Sequence, residues 1–167
     1  MIAPVPLAFG IGLTIALLAG GVASAASPKK GGRYIGKSSQ GARVSITVDR
    51  KRRIELLDID LTTSCSRIGS VGVSEEAFDI QVRKDGSFTD TPFSLYPIDE
   101  RVVNAQRVDL WAVAKNEVNG KFRTPREASG TWRARNALYD FNVFPDKSDP
   151  VDKCDTGVVS WRARLRR

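Results

Sequence analysis

The stretch Arg43-Val44-Ser45-Ile46-Thr47-Val48 decides the fold, because its polar and apolar side chains alternate without a break. Successive side chains of a β-strand point to opposite faces, so this period of two places Val44, Ile46 and Val48 on one face. The charged segment 49–53 follows it. The pattern predicts a strand with one buried face, followed by a turn.

Period-two alternation recurs along most of the chain, and no stretch carries a helical stripe longer than the single turn that 74–77 could form. About eight to ten short strands joined by hairpins are typical of an antiparallel β-sandwich or a flattened β-barrel. The sequence therefore predicts an all-β fold and does not choose between these two. The other alternating stretches are 54–61, 78–82, 107–114, 117–123, 128–135 and 158–165.

The strand that begins at Ile54 changes parity midway. Its apolar residues Ile54 and Leu56 are even-numbered, whereas Leu57, Ile59 and Leu61 are odd-numbered. An extra residue at Leu56–Leu57 would keep all five side chains inward, which is the geometry of a β-bulge. We expect a bulge at this position.

Farther along, Phe78, Ile80 and Val82 form the next predicted inward face. Asp85-Gly86 then predicts a tight turn, since glycine accepts a positive φ without steric cost. Three other segments are less regular. We expect 92–97 to be irregular, 119–120 to be either a turn or a glycine within a strand, and 145–155 to be a turn-rich loop.

The amino-terminal segment has the features of an export signal. Residues 2–26 contain no charged side chain, 7–19 form an apolar run, and Ala23-Ser24-Ala25 supplies a cleavage site. We expect a signal peptide at 1–25, a short linker at 26–32 and one β-domain at 33–167, secreted or held in the cell envelope. The alternative is an uncleaved membrane anchor, since about 20 apolar residues can span a bilayer.

The two cysteines predict a disulfide. An even number of cysteines in an exported chain favours pairing, so we expect Cys65 and Cys154 to be joined. Closing a loop of this length stabilises a fold by about 4 to 5 kcal/mol in the chain-entropy account. Zinc binding is not expected, because two cysteines without any histidine supply too few ligands.

The combination of turn glycines, cysteines and aromatic residues resembles an uncharacterised family of small secreted bacterial β-rich proteins. The resemblance extends from Gly32 to Ala163 and implies export and a β-rich fold, with no activity to carry over. Its motifs, in chain order, are Gly32-x-Tyr34-x-Gly36, the strand before Cys65, Asp85-Gly86-Ser87-Phe88, Gly130 within Ala-Ser-Gly-Thr-Trp, Cys154-Asp155-x-Gly157, and Trp161-x-Ala163.

The absence of histidine limits the catalytic mechanisms that this chain could use. It removes Ser-His-Asp and Cys-His nucleophile systems and the commonest general base near neutral pH. Carboxylate chemistry or a Ser-Lys arrangement remains, and Asp58 and Asp60 on one strand face are candidates for a small carboxylate-dependent extracellular hydrolase. Such pairs usually form a polar exterior, so we expect no enzyme and no cofactor.

The acidic segment near the carboxyl terminus is a weak calcium candidate. Asp146, Asp149, Asp152 and Asp155 recur at every third position, and calcium prefers such oxygen ligands. This spacing does not match an EF-hand loop. We therefore expect these aspartates to form turns and assign no metal site.

Basic side chains provide the main functional lead, since the formal net charge is +7. If their two strands are neighbours, the outward-facing Arg133, Arg135, Arg162 and Arg164 form a ladder of guanidinium groups suited to anions. The predicted partners are anionic extracellular or envelope polymers, with no specific nucleic acid and no stable membrane span after cleavage. The alternative is a well-solvated surface. A second basic cluster comprises Arg50, Lys51, Arg52 and Arg53.

The tryptophans divide into two groups by phase. Trp132 and Trp161 alternate in step with apolar neighbours, which predicts core packing. Trp111 is out of phase with Leu110 and shares a face with Val113. It is therefore our candidate for an aromatic that faces a ligand.

Overall fold

The computed structural model describes residues 26–103, 106–140 and 149–166, and within these ranges it contains strands and no helix. The all-β prediction is confirmed. The expected signal peptide at 1–25 lies outside the described residues, and no described helix is long and apolar enough to span a bilayer. The strands are β1 (Arg33–Ser38), β2 (Arg43–Val48), β3 (Ile54–Cys65), β4 (Gly69–Ile80), β5 (Ser87–Asp90), β6 (Phe93–Val103), β7 (Gln106–Thr124), β8 (Glu127–Asp140), β9 (Asp152–Asp155) and β10 (Val159–Leu165).

Six strands close into an antiparallel barrel in the order β8–β10–β1–β2–β3–β9, with β9 pairing back to β8. The remaining strands extend the sheet from this ring. β4 pairs with β3, β7 pairs with β8, and β5 and β6 pair with successive parts of β7. Of the two predicted architectures, the sandwich and the barrel, the protein therefore adopts the barrel.

The predicted disulfide is present and links two strands of the ring. Cys65 and Cys154 are directly opposite each other in the β3–β9 pairing, with their Cα atoms 3.9 Å apart.

The prediction of a loop at 145–155 is wrong for its last four residues, which form β9. β9 hydrogen-bonds to β3 on one side and to β8 on the other, and this pairing outweighs the turn-forming tendency of its aspartates. Residues 141–148 lie outside the described ranges.

The face predicted from β2 forms part of the core, where Val44, Ile46 and Val48 are buried. The bulge in β3 is confirmed, but it lies earlier than predicted. Thr47 pairs with Leu56 and Val48 pairs with Ile54, so the intervening Glu55 is the extra residue. Because the extra residue precedes Leu56, that side chain lies on the outer face and is half-buried.

In β4 the predicted face is wrong at one position. Phe78 is 59% exposed, whereas Ala77 and Ile80 are buried. The change of phase coincides with Asp79, whose φ of 54° is unusual for a residue other than glycine. The segment 74–77 is part of the strand and does not form a helical turn.

The turn at Asp85-Gly86 is confirmed, because Gly86 has a φ of 79° and the Arg83 amide donates to the Ser87 carbonyl at 2.8 Å. The strand that follows pairs with β7 and does not return along β4.

Residues 93–97, expected to be irregular, begin β6. Pro97 is tolerated there because β6 pairs only with β7 among the described strands, which leaves one edge free of backbone partners.

Glycines create the space that the aromatic core fills. Trp132 and Trp161 are buried as predicted. Gly120, inside strand β7, pairs with Gly130 of β8, and a methyl group at either position would overlap the ring of Phe88 or of Trp161. These two rings stack with their centroids 6.1 Å apart. Small residues on two strands thus accommodate the largest side chains of the barrel.

Gly36 and Gly72 offer a matched pair of strand glycines for testing the closure of the barrel. A methyl group at Gly36 would overlap the backbone of Arg162 in β10, whereas one at Gly72 would meet no atom within 4 Å. We expect Gly36→Ala to lower the free energy of unfolding by about 2 to 3 kcal/mol, as overpacking does. Gly72→Ala should change it by less than about 0.5 kcal/mol. Denaturant unfolding measures both, and equal effects would contradict the tight β1–β10 pairing.

Candidate functional site

The outer sides of β10, β1 and β2 carry a dense group of cations. In β10, Trp161 and Ala163 are buried, and the residues that follow them, Arg162 and Arg164, are exposed. In β1, Tyr34 is buried, so its neighbours Arg33 and Ile35 lie on the outer face. We name this group the basic face. Its members are Arg33, Lys37, Arg43, Arg162, Arg164 and Arg166.

Strand register brings the members of the basic face together. Lys37 of β1 is opposite Arg162 of β10 on one side and Arg43 of β2 on the other. Four guanidinium groups of the face surround the apolar side chain of Ile35, in a shallow depression of about 560 Å³. The four residues are Arg33, Arg43, Arg164 and Arg166. The depression is therefore cationic at its rim and apolar at its centre.

The basic face is only partly neutralised by the protein's own carboxylates. Asp58 lies 3.6 Å from Arg43. Glu127 is shared between Arg162, at 3.5 Å, and Arg164, at 3.9 Å. Over the described ranges, no ion pair engages the other three cations, Arg33, Lys37 and Arg166. The face consequently retains a net positive charge that an external anion can meet.

The predicted ladder of four arginines is not formed. β8 and β10 are neighbours, as the ladder requires, but their register places Arg162 opposite Ser129. Arg133 is four positions farther along β8, or about 13 Å at the usual rise of a strand. Arg162 and Arg164 therefore lie beside the start of β8, whereas Arg133 and Arg135 lie near its middle. Strand parity predicted that these side chains face outward, whereas the register decides which of them meet.

Arg133 and Arg135 bind carboxylates of the protein itself. Arg133 donates to both carboxylate oxygens of Asp155, at 3.1 and 2.5 Å, and Arg135 donates to Glu117 at 2.6 Å. The hydrogen bond from Arg133 holds the pKa of Asp155 below its ordinary value and raises the pKa of Arg133. Glu127 forms ion pairs with Arg162 and Arg164 of β10, so each of the four predicted arginines has a carboxylate partner.

The second predicted basic cluster lies in the turn between β2 and β3. Arg50, Lys51 and Arg52 are exposed there, and no ion pair engages them within the described part of the chain. Arg53 differs, since it lies 3.0 Å from Asp49 and 3.6 Å from Asp79. The cluster is thus a small cationic protrusion, separate from the basic face.

The calcium candidates do not gather around a common point. Asp152 is buried and accepts hydrogen bonds from the Ser66 hydroxyl at 2.5 Å and from the amides of Arg67 and Ile68 at 3.0 and 2.9 Å. Burial opposes its ionisation, but these hydrogen bonds hold the pKa of Asp152 below its ordinary value. Asp155 binds Arg133, Asp149 is exposed, and Asp146 lies outside the described ranges. In the described residues, no group of three or more potential metal ligands is found.

The hydrolase candidates lie on the outer face of β3, as their parity predicts. Asp60 accepts a hydrogen bond from the Ser74 hydroxyl at 2.5 Å, and Asp58 forms the ion pair with Arg43. Burial raises the pKa of Asp58, and the charge of Arg43 opposes this effect. Both carboxylates are thus engaged by neighbouring strands.

A buried carboxylate that was not among the predicted site residues, Glu75, lies inside the sheet. Glu75 is 1% exposed, and it accepts hydrogen bonds from the Tyr96 hydroxyl at 3.0 Å and the Asn116 amide at 2.9 Å. The Asn116 carbonyl accepts in turn from the Trp132 indole at 2.9 Å. Burial raises the pKa of both Glu75 and Tyr96. The signal was available in the sequence, because Glu75 shares its parity with the apolar residue Val73.

Comparisons with protein-family models, with curated proteins and with solved structures find no match to this chain. The resemblance to small secreted bacterial β-rich proteins therefore stays a prediction.

The raised pKa of Glu75 predicts a specific dependence of stability on pH. Above the ordinary glutamate pKa of 4.5 the unfolded chain releases this proton while the folded protein keeps it, so folding loses stability as the pH rises through the folded pKa. Glu75→Gln removes this contribution. We expect the stability of Glu75→Gln relative to wild type to increase between pH 4 and pH 7 in urea unfolding. The exposed neighbour Glu76→Gln is the control, and a difference that does not vary with pH would contradict the assignment.

Proposed function

We propose that the protein is an exported, non-catalytic β-domain that binds anionic extracellular or cell-envelope polymers through the basic face. The observation that carries this proposal is the convergence of six cations from three adjacent strands around only two carboxylates. A solvated surface that served only to keep the protein soluble would not require such convergence, because scattered charges of mixed sign achieve the same result.

The spacing of the basic face suits a polymer with regularly repeated anionic groups. Neighbouring strands are about 4.8 Å apart, and alternate residues of one strand are separated by about 6.6 Å. Guanidinium groups bind phosphate, sulfate and carboxylate in bidentate fashion. A chain with one anion every 5 to 7 Å, roughly the spacing of this lattice, can therefore contact several cations at once.

The proposed location is outside the cytoplasm. The export signal predicted at 1–25 and the Cys65–Cys154 disulfide both favour an oxidising compartment, where disulfides form and persist. The polymers available there include envelope and extracellular polyanions. The structure adds no support for the rival hydrolase, because Asp58 is paired with Arg43 and Asp60 accepts a hydrogen bond from the Ser74 hydroxyl.

The test removes four cations from the basic face, with Arg33, Arg43, Arg164 and Arg166 each replaced by serine. We expect binding of the oxidised protein to immobilised dextran sulfate and polyphosphate to weaken at least tenfold at low salt. The slope of log affinity against log salt should fall by about 3, since each lost phosphate contact removes about 0.7 to 0.9 from it.

The matched control removes four exposed cations elsewhere, with Arg50, Lys51, Arg52 and Lys84 each replaced by serine. This variant has the same net charge as the basic-face variant, so it isolates position from total charge. We expect it to retain most of the affinity. Equal losses in the two variants would show that net charge alone drives binding, and no retention of the wild type at low salt would refute the proposal.

A further inference from the structure

A second surface, distinct from the basic face, is apolar and concave. It lies on the outer side of β6, β7 and β8, where Phe93 is 63% exposed and Leu95 is 46% exposed. These side chains border a groove of about 1000 Å³, at the upper end of the range for small-molecule sites. We name it the lateral groove.

Strand register explains the shape of the lateral groove. Leu95 of β6, Val113 of β7 and Ala137 of β8 lie in one row across the sheet, and Lys153 of β9 continues that row. The small side chain of Ala137 lowers the floor between the larger residues on either side. Tyr139, two positions along β8, extends the floor. The result is a trough with an apolar floor and one apolar wall.

Positive charge is concentrated beside this floor. Lys115 is opposite Phe93, and Lys153 is opposite Ala137. In the ranges that the structure describes, neither ammonium group forms an ion pair. The nearby Arg135 is already held by Glu117 and by Asp155, a carboxylate that lines the groove and is itself bound by Arg133. Two uncompensated ammonium groups therefore flank an apolar trough.

We infer that the lateral groove binds a single-chain anionic amphiphile, with its acyl chain along Val113 and Ala137 and a carboxylate headgroup between Lys115 and Lys153. The apolar floor matches the chain and the two ammonium groups match the head. A second copy of the protein fits less well, because two-fold pairing of this surface would bring like charges together. A bilayer would contact the exposed Phe93 and Leu95 but, being flat, would leave the depression beside them unfilled.

The first test is a chain-length series of free carboxylates. Decanoate, dodecanoate and tetradecanoate are titrated into the oxidised protein by calorimetry, below the concentrations at which they aggregate. Each added methylene group should tighten binding by about two- to fourfold, since fully burying one contributes about 0.8 kcal/mol and the groove is open on one side. A neutral amphiphile with a twelve-carbon chain should bind at least tenfold more weakly than dodecanoate.

The second test uses variants with matched controls. Phe93→Ser should weaken dodecanoate binding at least fivefold, whereas Phe78→Ser, which removes a similarly exposed phenyl ring from β4, should not. Lys115→Ser combined with Lys153→Ser should reduce the preference for the anionic over the neutral amphiphile. All of these positions are on the surface, and thermal unfolding verifies that each variant is folded.

Four results would overturn the inference. The first is absence of dodecanoate binding, and the second is equal affinity for the neutral amphiphile. The third is binding to anionic vesicles without binding to the free carboxylate, which would identify a membrane-docking surface. The fourth is sedimentation of the protein as a dimer that Phe93→Ser dissociates, which would identify an interface between two copies.

Discussion

The backbone pairing of β1 with β10 is the contact on which both the closed barrel and the basic face depend. It joins strands from opposite ends of the domain, and its register places Lys37 opposite Arg162 and Ile35 opposite Arg164. The close approach requires the missing side chain of Gly36, because a methyl group there would overlap the carbonyl oxygen of Arg162. One glycine thus couples closure of the fold to assembly of the cationic surface.

The opposite part of the ring is closed by a much shorter strand. β9 has four residues, and it is fixed by pairing on both edges and by the disulfide to β3. Asp152 of the same strand binds the turn after β3 through several hydrogen bonds, which orders that turn. A short strand can complete a barrel here because covalent and polar contacts replace the length that it lacks.

Much of the fold could be predicted from the local alternation of polar and apolar residues. This alternation indicates the direction in which a side chain points, but it does not indicate which strand lies beside it. The burial of Val44 and Trp132 and the outward direction of Arg133 were all readable in this way. The failures have local causes that alternation cannot report. Phe78 and Ile80 face opposite sides because the strand changes phase at Asp79, which has a positive φ, and the bulge lies at Glu55 because pairing with β2 selects that residue.

The sequence predicted outward-facing arginines, but it did not predict which strands bring cations together. The outward parity of Arg33, Lys37 and Arg43 was present in the sequence, but nothing local indicates that β1 lies beside β10. Strand adjacency depends on closure of the whole barrel, which couples residues far apart in the chain. For the same reason the sequence could place Arg162 on the surface without showing that Ser129 lies opposite it.

The most direct test of the account is to locate the bound polyanion by amide chemical-shift changes in the oxidised protein. A short sulfated oligosaccharide is titrated at low salt, and the backbone amides that shift are mapped onto the strands. We predict that the largest changes occur in β10, β1 and β2, at and beside the members of the basic face. Changes centred on the turn at 50–53, or on Arg133 and Arg135 of β8, would contradict the assignment of the site.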